Sequence, residues 1–297
     1  METLKTLRKK KFVIYGYGIT GVSVIQFFKK NKIKNFDVWD DNQKKNNLFN
    51  KKINSSKFLK LLYKSDYIVK SPGININSVK FKKHLLKNKH KIISDLDLFY
   101  IKNSNSSSIV ITGTNGKSTT CKIIEHLLKK NGFKVNLGGN IGEPVLNFKN
   151  NKNTFSIIEA SSFQLAYSKF IKPKYALIIN ISNDHLDWHG KMQNYLNSKF
   201  KIFNFQKKND IALLKEKEII KKFKREKYFS KLKIVSDKKY RKISDKIKNR
   251  YLKIKSNYEN MSFAYQLGKI LKITDSNFIK SFKNFKGLPH RYEIFYK

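Results

Sequence analysis

SIVITGTNGKSTT, residues 108–120, reads as a β-rich strand, a glycine loop and the first turn of a helix. Backbone N–H groups of such a loop converge on phosphate oxygens. The side chain of Lys117 reaches the terminal phosphates, and the Ser118 hydroxyl is placed to ligate Mg²⁺. Gly113, Thr114, Asn115, Gly116, Lys117, Ser118 and Thr119 are therefore the expected ATP-binding residues. Only Thr114 and Asn115 separate Gly113 from Gly116, a shorter spacer than the general pattern carries.

Working outward, short apolar runs alternate with amphipathic stretches: FVIY (12–15), FDVW (36–39), YIV (67–69) and KII (91–93), then IVIT, FSII, YALII and DIALL. Strands alternating with helical patterns predict βαβ units and parallel sheets covered by helices on both faces. The fold class is α/β: a Rossmann-like N-terminal domain followed by a P-loop-type ATPase domain. KNSNSSS, residues 102–108, lacks apolar side chains and reads as a linker, giving domains over 1–103 and 104–288. The lysine-rich segment from Lys207 to Lys255 carries the weakest pattern and reads as a solvated face.

A second glycine turn, Gly16-Tyr17-Gly18-Ile19-Thr20-Gly21, follows the strand FVIY, and Asp40 and Asp41 end the next strand. Taken alone, this is the arrangement of a dinucleotide-binding fold, with a carboxylate for the ribose. The physics is more general, because a glycine turn at a helix N-terminus accepts any diphosphate. Ser71-Pro72-Gly73, after the third strand, is a candidate second wall of that site. Glu159 ends a strand neighbouring the ATP loop, where a carboxylate can hold the nucleotide's magnesium. Asp184, His185, Asp187 and His189 cluster after YALIIN and point to metal or phosphate chemistry.

The net charge is +43, and nearly all of it is lysine. Nucleic-acid readers favour the arginine fork. Here arginine is confined to Arg8, Arg225, Arg241, Arg250 and Arg291, and lysines are spread along the chain beside abundant Asn and Ile. Compositional drift towards AT-rich codons explains this better than a nucleic-acid partner. One cysteine, Cys121, excludes an internal disulfide and reads as core packing. No apolar run approaches membrane-spanning length, and the N-terminus passes straight into a strand, so a cytoplasmic protein without membrane insertion is expected.

The motifs resemble the Mur ligases over essentially the whole chain, in the family's order: GYGITG, SPG, GTNGKST, GGNIG, SSFQL following Glu159, NDHLDWHG, YLNSKFKIF, NYEN and GLPHRYE. Within the family they are most similar to the branch that adds D-glutamate to UDP-N-acetylmuramoyl-L-alanine. The resemblance implies that the N-terminal sheet binds the UDP part of that substrate, not NAD, through Ile19, Thr20, Asp40, Ser71, Pro72 and Gly73. It implies that Asn140, Ser161 and Gln164 position the muramoyl-alanine end. Lys117 would contact the γ-phosphate, Ser118 and Glu159 hold a first Mg²⁺, and His185 a second. Lys199 matches the family's carbamylated lysine, whose carbamate supplies the oxygens magnesium demands. Asn257, Asn260 and Arg291 match positions near the adenine and ribose of ATP.

The implied catalytic set is Lys117, Asn140, His185 and Lys199, acting through an acyl phosphate that the D-glutamate amine then displaces. The resemblance further implies that residues 289–297 are the stub of a third domain. On that basis a monomer is expected to bind the UDP substrate without completing the glutamate amide. Three readings stand as alternatives: another Mur-type ligase, an NAD-dependent oxidoreductase built on the first turn, which leaves the ATP loop unexplained, and a nucleic-acid-stimulated ATPase.

Overall fold

In the computed structural model the described residues are 2–42, 44, 53–104, 106–149 and 153–288. Two parallel sheets carry the fold. The first has the order β2-β1-β3-β4, from Phe12–Tyr15 (β1), Phe36–Trp39 (β2), Tyr67–Lys70 (β3) and Ile92–Ile93 (β4). All four residues of β1 are buried, as a strand covered on both faces requires. On one face Phe12 packs on Phe28 of helix Ile19–Lys30; on the other, Trp39 stacks on Phe58 with ring centroids 4.7 Å apart.

The second sheet has the order β10-β9-β8-β5-β7-β6. Its strands are Ser107–Thr112 (β5), Lys134–Gly139 (β6), Thr154–Glu159 (β7), Tyr175–Ile178 (β8), Ile211–Leu214 (β9) and Lys231–Ile234 (β10). In each sheet one strand, β1 or β5, lies between two later ones, so its carboxyl end opens at a point where strand order reverses, the usual place for a ligand. Register pairs Ile111 with Glu159 and Thr112 with Ile178, setting β7 and β8 beside the glycine loop.

The polar linker is shorter than its composition implied. Ser107 and Ser108 belong to β5, and Ser108 is fully buried because its hydroxyl accepts a hydrogen bond from Tyr100 at 2.9 Å. Helix Asp95–Lys102 ends just before the connection. The lysine-rich segment is likewise more ordered than a solvated run. Helix Lys217–Arg225 buries Ile219, Ile220 and Phe223 on one side. Lys222 is buried with them, its ammonium paired with Glu226 at 2.9 Å. Lysines at both Lys231 and Lys233 occupy β10, an edge strand of the kind that charge protects from pairing with another chain.

Buried polar groups join the two sheets' segments. Asp97 accepts hydrogen bonds from the Lys169 and Phe170 amides, both at 2.7 Å, and the Ser94 and Ser168 hydroxyls lie 2.7 Å apart. Arg291 and the rest of the expected stub, 289–297, lie outside the described residues. Among the described residues no helix is long and apolar enough to cross a membrane.

Candidate active site

The chain leaves β5 through Gly113 and turns at Gly116, whose φ of +79° opens helix Lys117–Lys130. A Cβ at Gly116 would meet Asn260 Oδ1 at 2.4 Å, so both the backbone angle and the space require glycine. Asn260 backs the loop from helix Lys255–Ile270: its Oδ1 accepts from the Thr120 hydroxyl at 3.1 Å, and its amide donates to Asn257 Oδ1 at 3.3 Å. Asn257 in turn donates to Tyr251 O at 2.8 Å. Both asparagines are buried beneath the loop, where their side chains buttress it.

The segment after β8 braces the loop from the other side. Asn115 N–H donates to Asn180 Oδ1 at 2.9 Å, and Asn180 Nδ2 donates to Glu259 at 2.8 Å. Thr114 Oγ1 accepts from the Ser182 amide at 3.0 Å and lies 2.9 Å from the Tyr195 hydroxyl.

Two lysines converge on one carbonyl. Lys117 Nζ donates to Gly113 O at 3.0 Å and Thr114 O at 2.7 Å, while Lys199 Nζ donates to Gly113 O at 2.7 Å. Lys199 is only 1% exposed and lies over the Tyr195 ring. Burial, and next the charge of Lys117, push its pKa down to about 7, with Asp184 opposing. His189, also buried, is pushed down to about 4 by burial and then by Lys199 and His185, and so stays neutral. His185 stands at φ +53°, its ring 4.6 Å from that of Phe163 and its Nε2 3.4 Å from Asp184.

Glu159 is 1% exposed; Asn140 donates to its Oε1 at 2.9 Å, and its Oε2 is buried with no hydrogen-bond partner. A buried carboxylate oxygen without a donor, beside a phosphate-type loop, fits a cation. A second magnesium is expected at His185 and Lys199. Among the described residues no three His, Cys, Asp or Glu side chains gather as a metal site. Of the two residues expected at that ion, His185 and Lys199, the lysine as an ammonium repels a cation.

The first turn forms a cleft of 520 Å³ in which Ile19, Thr20, Asp40, Ser71, Pro72 and Gly73 meet Asn140 and Gln164 from the second sheet's segments. Asp40 accepts the Tyr17 amide at 2.7 Å. Gly21 lies so close to the turn that a Cβ there would fall 1.9 Å from Gly16 O. Ser161 caps helix Ser162–Leu165, locked in a reciprocal capping box with Gln164. The cleft thus brings together the residues expected to bind substrate from both sheets' segments, with Ser161 holding Gln164. Sequence reasoning missed Asn180 and Tyr195 as braces, and Asp95, which accepts from Gln164 Nε2 at 3.3 Å. The ends of β8 and β4 were the available signals, since loops at strand carboxyl ends carry function.

Residues 111–279 match the Mur ligase middle domain, and residues 10–94 match the Mur ligase MurD-like N-terminal domain. A UDP-N-acetylmuramoylalanine--D-glutamate ligase from Rickettsia bellii is 35% identical, covering 96% of this chain and 69% of its own length. That of Buchnera aphidicola subsp. Schizaphis graminum is 36% identical over 96% of this chain and 68% of its own. In fold, the UDP-N-acetylmuramate:L-alanyl-gamma-D-glutamyl-meso-diaminopimelate ligase from Neisseria meningitides aligns with a TM-score of 0.58 at 13% identity, covering 95% of this chain and 99% of its own. With the braced glycine loop, its lysine and the acidic strand end already in place, these likenesses show that the chain belongs to the Mur ligase family of ATP-dependent peptidoglycan ligases.

Proposed function

We propose that the chain binds UDP-N-acetylmuramoyl-L-alanine and ATP and activates the alanine carboxylate as an acyl phosphate for attack by D-glutamate. The observation that carries this reading is the shared cleft: Gly16, Asp40 and Ser71 line it together with Asn140, which is hydrogen-bonded to Glu159. A diphosphate at the first turn leaves its sugar and alanine directed towards the ATP loop. In this reading residues 1–103 hold the UDP part and residues 104–288 hold ATP, in a cytoplasmic monomer.

The alanine carboxylate attacks the γ-phosphorus of ATP and the bond to the ADP oxygen breaks, leaving an acyl phosphate whose phosphate is the leaving group for a D-glutamate amine. Lys117, folded over its own loop, swings onto the γ-phosphate and offsets the developing charge. Asn140 orients the muramoyl-alanine end against Glu159. Ser118 and Glu159 would hold a first Mg²⁺, and His185 with Lys199 a second, supplying charge neutralisation and alignment when bound. Lys199 fulfils that role as a carbamate: the ammonium loses a proton, the neutral amine adds to CO₂ and a second proton leaves, so that a buried cation becomes a carbamate whose single negative charge is shared by two oxygens.

A calorimetric comparison tests the reading. UDP-N-acetylmuramoyl-L-alanine should bind more tightly than UDP-N-acetylmuramate, UDP-N-acetylmuramoyl-L-alanyl-D-glutamate or NADH. Preference for either of the other UDP-muramoyl compounds would assign the chain to a different step, and preference for NADH would overturn the substrate reading of the first turn.

A further inference from the structure

Lys70 ends β3, is 3% exposed and takes no part in the chemistry above. Its Nζ donates to Ser71 O at 2.9 Å and Ile74 O at 2.7 Å, closing the turn whose Ser71, Pro72 and Gly73 line the substrate cleft. The same ammonium lies 4.8 Å from the centre of the Tyr167 ring and 5.8 Å from that of Trp188. Tyr167 follows Gln164 by one helical turn, and Trp188 follows His185. Both rings also line a neighbouring cavity of 410 Å³, while Ser71 and Ile74, whose carbonyls Lys70 holds, line the substrate cleft.

A lysine whose only task were to satisfy two carbonyls would need neither ring. An ammonium held against aromatic faces in a desolvated place draws on the attraction of the ring quadrupoles. Burial draws this one down to about 7, and the field of Asp95 opposes that. Asp95 is itself buried and binds Gln164, so the same polar group supports the lysine and the cleft residue.

We propose that Lys70 is a positioning residue: it shapes the Ser71–Ile74 turn and, through Tyr167 and Trp188, locks that turn to the segments carrying Gln164 and His185. The proposal rests on the reading of the cleft as the UDP-substrate site, and its first test is independent of any ligand. Amide hydrogen exchange is measured on the protein alone, in the wild type and in Lys70→Met, Tyr167→Leu and Tyr167→Phe. The reporters are Ile74 N–H, bonded to Ser71 O, and Trp188 and His189 N–H, bonded to His185 O; Thr120 N–H, bonded to Gly116 O, is the control.

Lys70→Met should speed exchange about tenfold at Ile74 and also across the junction at Trp188 and His189, leaving Thr120 unchanged. Tyr167→Leu, which leaves the lysine intact, should loosen Ile74 in the same way, whereas Tyr167→Phe keeps the ring face and should match the wild type. Changes in Lys70→Met confined to Ile74, or no effect of Tyr167→Leu on Ile74, would overturn the proposal. A titration adds the functional arm: Lys70→Met should weaken UDP-N-acetylmuramoyl-L-alanine about tenfold and leave ATP unaffected. Equal affinity for the UDP substrate would overturn the positioning role. A wild type that binds no UDP-sugar would overturn the substrate reading instead, and the exchange data would still decide the clamp.

Discussion

Two glycine turns, Gly16–Gly21 and Gly113–Ser118, start from the same device and arrive at different chemistry. Both follow a buried parallel strand flanked by two later strands, and both open a helix. What differs is the charge gathered at each. Asp40 and Asp41 line the first, with Asp40 accepting a backbone amide of the turn itself. Two lysines crowd a single carbonyl of the second, and a buried glutamate ends the adjacent strand. An acid beside a glycine turn suits hydroxyl and imide donors of a nucleoside, with backbone amides left for a diphosphate. Convergent lysines suit a triphosphate in reaction. The lesson is that the glycine pattern specifies a phosphate cradle, while the ends of the neighbouring strands decide what is done there.

The largest expected effect comes from removing the charge that defines the second turn. Lys117→Ala should reduce phosphate transfer from ATP by at least about 100-fold while UDP-substrate affinity is kept. Transfer measured by ADP release at near wild-type rate would remove Lys117 from the mechanism.

Steric substitutions in the two turns should separate their ligands. Gly116→Ala places a Cβ 2.4 Å from Asn260 and demands a left-handed backbone, for a cost of about 2 kcal/mol. Gly21→Ala drives a Cβ into Gly16 O. The first should weaken ATP and spare the UDP substrate, and the second should do the reverse, as read by thermal shifts with each ligand. A matching loss of both ligands in either variant would mean that the turns are not independent.

Lys199 gives the second turn a pH dependence. The amine reacts with CO₂ only when neutral, so with its pKa lowered to about 7 the carbamate should form above that pH and be lost as the amine protonates below it. The carbamate carbon, followed by NMR with ¹³C-bicarbonate, should appear with a midpoint near pH 7 and be missing from Lys199→Ala. That variant should be partly rescued by acetate or formate; rescue by Lys199→Arg, and not by a carboxylate, would contradict the carbamate.

The smallest effect belongs to Asp40→Asn. One carboxylate oxygen accepts the Tyr17 amide at 2.7 Å and the other the Asn42 amide at 2.9 Å, and a carboxamide can accept only one of them. A loss of about 1 kcal/mol in UDP-substrate binding, with none in ATP binding, is expected from titration.

Much of this frame was legible in the residues. FVIY at 12–15 is a strand with those bounds, and the run from Ser108 to Thr120 forms the strand, loop and helix its glycines and lysine imply. Local pattern succeeds there because backbone geometry is set by residues adjacent in sequence. It fails where burial depends on distant partners. Ser108 looked like linker because a serine hydroxyl is polar until a partner on another element, here Tyr100 of helix Asp95–Lys102, satisfies it. Lys70 and Lys199 are indistinguishable by composition from the lysines on the surface, and only the packing of Tyr167, Trp188 and Tyr195 sets them apart. Asn257 and Asn260 support the loop from beneath, a relation that no spacing along one helix reveals.

In the proposed reading the first turn holds the UDP substrate while the second holds ATP at the same time. Calorimetric titration of UDP-N-acetylmuramoyl-L-alanine into the protein, with and without saturating ATP and Mg²⁺, tests this most directly. One site with equal or higher affinity in the presence of ATP is the predicted result. Competition between the two ligands, or displacement of the UDP substrate by NADH, would contradict it.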